Sequence, residues 1–348
     1  MTASPPRSHD RLAGTLLGTA LGDALGLPAE GMKEREIARR FGRLDRFRLL
    51  GRIGFVSDDT EQAALVAQSL GGHPDDLDRC VAAFRRSMLG WLARLPWGVG
   101  RATIRACLKI ALGISPSGAN SAGNGAAMRA AIVGAFFHDR PDDRVAFGRA
   151  LAGVTHRDIR AIEGALYVAE LAAACVDGGP GSSLAAIQQQ ARRIVANPEL
   201  GAAIDRAVAL AGDGTTPSEA ARICGNWGYV VPTLAIATFG FLRSGADPLE
   251  ALVETSAVGG DTDSIGAILG GWLGALHGEA GLPAGLIGRI HDGPFGPTHL
   301  RALAASLADR RAGGAAPVPG YSTLAALARN LALYPVVLGH GFRRLWPS

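Results

Sequence analysis

The chain has 348 residues, 48% of them apolar and 19% charged, with 48 glycines. That length buries a large core, as one big domain or two ordinary ones, and the scarcity of alternating β-branched runs points to an all-α chain of closely packed helices. The net charge of +4 comes mainly from arginines that are scattered or in short groups (Arg39-Arg40, Arg85-Arg86, Arg310-Arg311), which reads as a solvated surface and excludes a nucleic-acid-binding arm.

Residues 1–9 read as a disordered leader without the apolar core of a signal peptide. A helix is expected over 10–25, then a loop, Gly26-Leu-Pro-Ala-Glu30-Gly31, and a second helix over 33–40. Ser57-Asp58-Asp59-Thr60 precedes a helical pattern over 61–70, where a Ser or Asp cap is a normal structural device. Residues 74–94 continue helical, and Trp97-Gly-Val-Gly100 opens a further helix through about 112. A small-residue loop with Ser121 and Gly123-Asn124-Gly125 leads into an apolar helix over 130–137. Helices follow from about 156 to 174, over 184–211, 218–224 and 232–244, with a surface loop at 178–183, and 247–256 leads straight into the acidic loop. After 302–311 comes a linker, 312–320, and an appended segment, 322–346, apolar and then basic at Arg343-Arg344. The expected organisation is one helical domain over 10–311 with a C-terminal extension over 312–348, which either packs back on its domain or serves a membrane surface or partner.

Two stretches carry glycine every fourth residue: Gly14, Gly18, Gly22 and Gly26, and Gly266, Gly270, Gly274 and Gly278. That spacing puts each set near one helix face. Each glycine inside a helix costs about 1 kcal/mol against alanine, so close approach of another backbone is the expected compensation. The two helices should be buried and pack on each other. Asp23 interrupts the first and His277 the second, so both fall short of the roughly 20 residues a membrane span needs. Cys80, Cys107, Cys175 and Cys224 show no zinc-type spacing and suit reduced thiols. Asp23, among small apolar residues, is expected to be a buried hydrogen-bonding group; Met128 and the tryptophans read as core, with Trp97 a possible adenine contact.

The acidic groups Ser57-Asp58-Asp59 and Asp261-Thr262-Asp263-Ser264 are some 200 residues apart and both stand at helix starts. Carboxylates buried together repel and desolvate badly, so a cation is expected between them. An all-oxygen donor set favours Mg²⁺ or Mn²⁺ over zinc. Gly123-Asn124-Gly125 and Gly98-Val-Gly100 each precede a helix, where free backbone N–H groups can meet an anion, although such glycines are often plain turns.

Gly22-Asp23-Ala-Leu-Gly26 with Glu30, Ser57-Asp58-Asp59-Thr60, Gly123-Asn124-Gly125-Ala-Ala-Met128-Arg129, Thr155-His156 and Gly260-Asp261-Thr-Asp263-Ser264 together resemble the ADP-ribosylglycohydrolase family, in family order and over residues 11 to about 285. The resemblance implies a compact orthogonal all-helical bundle with a binuclear Mg²⁺ or Mn²⁺ centre and hydrolysis of the bond between C1″ of ADP-ribose and an acceptor. Carried over by position, Ser57, Asp58, Asp59, Asp261, Asp263 and Ser264 are the implied metal ligands, with Asp263 bridging. Ser57 stands where many relatives have Thr. Glu30 resembles the mobile glutamate near the metals, although by itself it reads as an exposed surface residue. Gly100, Ser121, Gly123, Asn124, Gly125 and His156 are the implied ligand contacts, His156 being otherwise an ordinary helix-start residue. The general base is left between Glu30 and a metal-bound aspartate such as Asp263.

The expected protein is therefore a cytoplasmic, monomeric, metal-dependent hydrolase that reverses mono-ADP-ribosylation of an arginine or serine acceptor, of a small molecule or, less expected, of a nucleic acid. Two alternatives stand beside it. One is a catalytically idle ADP-ribose-binding or toxin-immunity protein of the same fold, and the other a hydrolase acting on a different ribosyl or phosphate compound.

Overall fold

The computed structural model describes residues 7–345, and among these there are seventeen α-helices, short 3-10 turns and isolated β-bridges but no sheet. The first group is α1 (Arg7–Gly26), α2 (Glu34–Phe41), α3 (Asp58–Gly72), α4 (Leu77–Leu92), α5 (Arg101–Ala111) and α6 (Ala131–Phe136). Then come α7 (Pro141–Gly153), α8 (Ile159–Gly178), α9 (Leu184–Arg192), α10 (Pro198–Gly212), α11 (Pro217–Cys224) and α12 (Val230–Ser244). The last are α13 (Pro248–Ala257), α14 (Thr262–His277), α15 (Ala284–Ile287), α16 (Pro297–Arg311) and α17 (Thr323–Leu345).

The bundle is built on α1 and α14. Gly14 faces Gly274, Gly18 faces Gly270 and Gly22 faces Gly266, so the helices run antiparallel with their backbones in contact. A methyl group built on any of these glycines would fall inside a carbonyl of the opposite helix. Close approach thus offsets the helix-propensity cost of the glycines, as their spacing suggested. The side chains of Leu12, Leu16, Leu21, Ile265, Ile268 and Leu273 on this pair are all but fully buried in the main core. Residues 8–29 are long and apolar enough to meet the length and composition of a membrane span, contrary to the expectation from Asp23. The whole apolar window is buried within the protein, as befits a core helix.

Several boundaries differ from the sequence pattern, each for a local reason. The helix expected over 184–211 is two helices, α9 and α10. Pro198 cannot donate to the preceding turn and restricts the residue before it, so Asn197 becomes the N-cap of α10, accepting from the Leu200 N–H at 3.1 Å. Glu163 accepts the loose Ala196 and Asn197 amides at the break, at 2.9 and 2.6 Å. The helix expected from 156 begins at Ile159 with Asp158 as its cap, which leaves His156 in a loop. That loop pairs with Ala119. Helix α16 begins five residues earlier than its pattern, with Pro297 in its first turn.

Residues 1–6 of the expected leader lie outside the described residues, and residues 7–9 already belong to α1. The C-terminal extension forms α17, which lies against the domain through Ala326, Asn330 and Leu333. Trp346 and the side chains of Arg343 and Arg344 are outside the described residues.

Candidate active site

Because α1 and α14 are antiparallel, the C-terminal end of α1 meets the N-terminal end of α14. Thr262 Oγ1 donates to the Gly26 carbonyl at 2.7 Å across this junction. The N-terminus of α3 is tied to the same place by Asp23, whose Oδ2 accepts from Ser57 N (2.9 Å), Thr60 N (3.2 Å) and Thr60 Oγ1 (2.5 Å). Hydrogen bonds to an ionised carboxylate contribute about 1.5–3 kcal/mol each, so this buried aspartate fastens α1 to the first turn of α3. Burial pushes its pKa up to about 6 against the pull of those bonds.

Two loops complete the junction. Gly31 N donates to Gly260 O at 2.7 Å and Gly260 N to Met32 O at 3.0 Å, a short ladder that sets Glu30 beside the acidic stretch. Asn226 clamps that stretch from behind: its Nδ2 donates to the Val258 and Gly259 carbonyls, and its own carbonyl accepts from Asp261 N at 2.7 Å. Gly259 and Gly260 both hold positive φ, 77° and 83°, which side-chain-bearing residues rarely adopt. Asp58 and Asp59 occupy the first turn of α3, and Asp263 and Ser264 that of α14. Negative charge there is favoured by each helix dipole by about 0.3–1 kcal/mol.

These segments surround a cavity of about 370 Å³. Its acidic part is Glu30, Asp58, Asp59, Asp261 and Asp263 with Ser264. The other part, called neutral because it has no carboxylate, comes from Gly98 and Gly100, the start of α5 with the charged Arg101, Ser121, the Gly123-Asn124-Gly125 segment, Met128, His156 and Gly228. Of the implied metal ligands and ligand contacts, Ser57 does not line it. Ser57 caps α3 underneath, accepting from Asp59 N at 3.3 Å and donating to Asp59 Oδ2 at 3.1 Å. Glu30 is half-buried on the lining, not an exposed surface residue.

The acidic part is electrostatically unfinished. Burial, and then repulsion by neighbouring carboxylates, holds Asp58, Asp59 and Asp263 well above the usual carboxylate range. Asp261 is raised by burial, partly offset by hydrogen bonds with Asp263, Asn124 and Ser264. Asp59 Oδ1 is buried with no hydrogen-bond partner, a costly state unless something else neutralises it. Among the described residues no group of three or more His, Cys, Asp or Glu side chains stands ready-made to hold a metal ion. The donors facing this part of the cavity are nevertheless carboxylate and hydroxyl oxygens, the chemistry a hard divalent cation takes.

The neutral part is the opposite case. Arg129 is fully buried and spends its donors on Gln62 Oε1 (2.6 Å), Gly125 O (3.0 Å), Leu151 O (3.2 Å) and Thr155 Oγ1 (2.7 Å). Gln62 in turn donates to Asp58 Oδ2 at 3.2 Å, and Thr155 Oγ1 lies 2.8 Å from His156 Nδ1. One chain of hydrogen bonds therefore runs from an acidic residue to the imidazole. Thr155 Oγ1 thus joins Arg129 to His156 Nδ1, and the other ring nitrogen, Nε2, lies beside Gly123 and Gly125. Burial and then the Arg129 charge push the His156 pKa down to about 3, so the ring is neutral across the physiological range.

Three expectations are corrected. The amides of Gly123 and Asn124 are not free for an anion: they donate to Ser121 Oγ and Gly228 O. Trp97 does not line the cavity but packs with Leu27, Leu49, Phe55 and Leu333. Trp227, read as core, is exposed, while Met128 is both buried and on the cavity lining. Arg101, Thr103 and Gly228 line the cavity without having been singled out. Arg101 was legible as a cation at the first position of a helix behind Gly-Val-Gly; nothing local flags Gly228, whose backbone passes close to Asp261 and Asn124.

The sequence profile of the ADP-ribosylglycohydrolase family matches residues 4–317. An uncharacterized protein of Escherichia coli, YegU, is 29% identical over 77% of this chain and 88% of its own length. An ADP-ribosyl-[dinitrogen reductase] glycohydrolase of Rhodospirillum rubrum is 27% identical over 82% of this chain and 92% of its own. Among solved structures, a chain of an ADP-ribosylglycohydrolase-related protein complex superposes with a TM-score of 0.68 at 28% identity, over 86% of this chain and 98% of the other. With an all-helical fold, an acidic cavity at the tips of its central helices and a profile match over nearly its whole length, the chain belongs to the ADP-ribosylglycohydrolase family and is an enzyme of that family.

Proposed function

We propose that this enzyme is a divalent-cation-dependent hydrolase of mono-ADP-ribosylated substrates, acting at C1″ of the ADP-ribosyl group. The single observation that carries the reading is the set of buried carboxylates at two helix N-termini around one cavity, each raised by burial and by neighbouring carboxylates. Asp58, Asp59, Asp261, Asp263 and Ser264 would hold two Mg²⁺ or Mn²⁺ ions, with Ser57 orienting Asp59 from below. When bound, the ions supply positive charge that orients the attacking water and the ribose 2″ and 3″ hydroxyls.

The chain's own residues account for the remaining steps. Glu30 is the lining carboxylate outside the two helix tips, so it serves as general base and takes the proton of the water that adds to C1″. The C1″–acceptor bond breaks with its electron pair on the acceptor atom, which picks up a proton from solvent. The neutral His156 imidazole, through Nε2, and the uncapped N-terminus of α5 with Arg101 meet the polar and anionic portions of ADP-ribose. The unpaired thiols, Cys80, Cys107 and Cys175 buried and Cys224 partly so, support a reducing cytoplasmic setting.

Release of free ADP-ribose from arginine- and serine-modified proteins, side by side in Mg²⁺, Mn²⁺ and chelator, tests this reading. Cation-dependent release from one of them identifies the acceptor class. ADP-ribose binding without release from either would show an idle binding protein, and no binding would overturn the substrate assignment.

A further inference from the structure

The family profile stops at residue 317, and α17 follows it. This helix packs on segments that lead into the active site. Leu333, only 4% exposed, completes a small apolar cluster with Leu27, Leu49, Phe55 and Trp97, separate from the main core. Three of these residues stand just ahead of site segments in the chain. Leu27 lies three residues before Glu30, Phe55 two before Ser57, and Trp97 three before Gly100. Polar contacts reach the same segments. Arg329 forms a buried ion pair with Glu61, whose N–H donates to the Ser57 carbonyl at 3.2 Å and whose carboxylate accepts from Trp91 Nε1 at 2.6 Å. Asn330 Nδ2 donates to the Arg94 carbonyl at 2.9 Å, at the root of the loop that carries Trp97.

We propose that α17 is a positioning element of the active site, with Leu333 as the wedge that fixes the Glu30 turn, the entry to α3 and the Trp97–Gly100 loop relative to one another. The physical reason is that none of these segments has enough apolar surface to anchor itself. Leu27, Leu49, Phe55 and Trp97 are closed over by α17, which contributes Leu333 as its buried member, with Tyr334, Val336 and Val337 partly buried around it. A loop held from below keeps its functional groups within the few tenths of an ångström that catalysis requires. The substrate part of this inference rests on the proposed function; the positioning part does not.

The test uses the full-length chain with Leu333→Ala, Leu333→Met and Leu333→Val, read by hydrogen–deuterium exchange and by ADP-ribose affinity. In Leu333→Ala, exchange should quicken tenfold or more at residues 27–31, 54–57 and 97–101. It should stay unchanged in α1 and α14, and Leu333→Met should restore it. ADP-ribose affinity should fall about fivefold to tenfold in the alanine variant and recover with methionine. Unchanged exchange at those three segments, or equal loosening of α1 and α14, overturns the proposal. Should Leu333→Ala not fold, the smaller step to valine is judged by the same readouts. Failure of the wild-type chain to bind ADP-ribose would count against the substrate reading and leave the exchange result to decide on α17.

Discussion

The two parts of the cavity solve the burial of polar groups in opposite ways. Behind the neutral part, Arg129 donates to oxygens of Gln62, Gly125, Leu151 and Thr155, and His156 is held as an uncharged ring. In the acidic part, burial and repulsion by neighbouring carboxylates raise Asp58, Asp59 and Asp263, and Asp59 Oδ1 has no partner. A self-satisfied network is rigid before any ligand arrives, whereas an unsatisfied one is unstable until a ligand arrives. The neutral part is thus built to orient, and the acidic part to recruit charge. Substitutions in the two should therefore move activity and stability in different directions.

The largest effect is expected at Asp263. Asp263→Asn should lower ADP-ribose release on the order of 10³-fold, because cation-derived stabilisation of several kcal/mol is lost. The same change removes a buried, repelled charge, so in chelator at pH 7.5 the variant should melt higher than wild type. Release assays and thermal melts on one preparation check both signs. A variant that loses activity and also melts lower would place Asp263 in the satisfied class and end the contrast.

Arg129→Met comes next. It strands Gln62 Oε1, the Gly125 and Leu151 carbonyls and Thr155 Oγ1 in the interior, at a cost of about 3–5 kcal/mol. Lysine cannot reproduce the fork, so Arg129→Lys should recover only part of that. Denaturant melts measure it; losses below about 1 kcal/mol for the methionine variant would show that the network is not what holds this part together.

Cation binding should sharpen the comparison through pH. Asp58, Asp59 and Asp263 have folded-state pKa values above the ordinary 3.8, so the folded chain holds protons that the unfolded chain has released. Without a cation their contribution to stability declines as pH rises from 3.8 through the raised values. His156 works the other way, its stabilisation being lost as pH falls from 6.5 toward 3, but that contribution is the same with or without the ion. The rise in melting temperature on adding Mn²⁺ should therefore be larger at pH 8 than at pH 5.5, by on the order of 5 °C. An equal rise at both pH values would mean that the carboxylates are not the binding groups.

Much of this arrangement was legible in the sequence because it depends on local spacing. Glycines every fourth residue announced the α1–α14 seam, and the paired acidic groups announced two helix tips. The seam then explains why those tips coincide: antiparallel helices in backbone contact bring the Glu30 turn to the start of α14. The hydrogen-bond relay was not legible, since Gln62, Arg129 and Thr155 come from separate parts of the chain and meet only through packing. The same holds for Leu333, whose partners precede it by more than 200 residues. Pro198 and Pro297 were readable and outranked the apolar pattern that suggested other boundaries.

The smallest effect, and the most discriminating, is expected at His156. Asparagine there leaves a polar group near the position of Nδ1 to meet Thr155, and deletes Nε2, the group beside Gly123 and Gly125. One neutral hydrogen bond to the ligand is worth about 1 kcal/mol, so His156→Asn should weaken ADP-ribose binding about fivefold and leave kcat within about twofold. Because burial keeps the ring neutral down to about pH 3, wild-type affinity should show no step at the usual histidine value of 6.5. Calorimetric titrations from pH 5.5 to 8 decide this. A step near 6.5 that vanishes in the asparagine variant would mean the imidazole binds as a cation. Charge recruitment would then belong to both parts of the cavity, and the division between an orienting part and a recruiting part would fail at its most ordered residue.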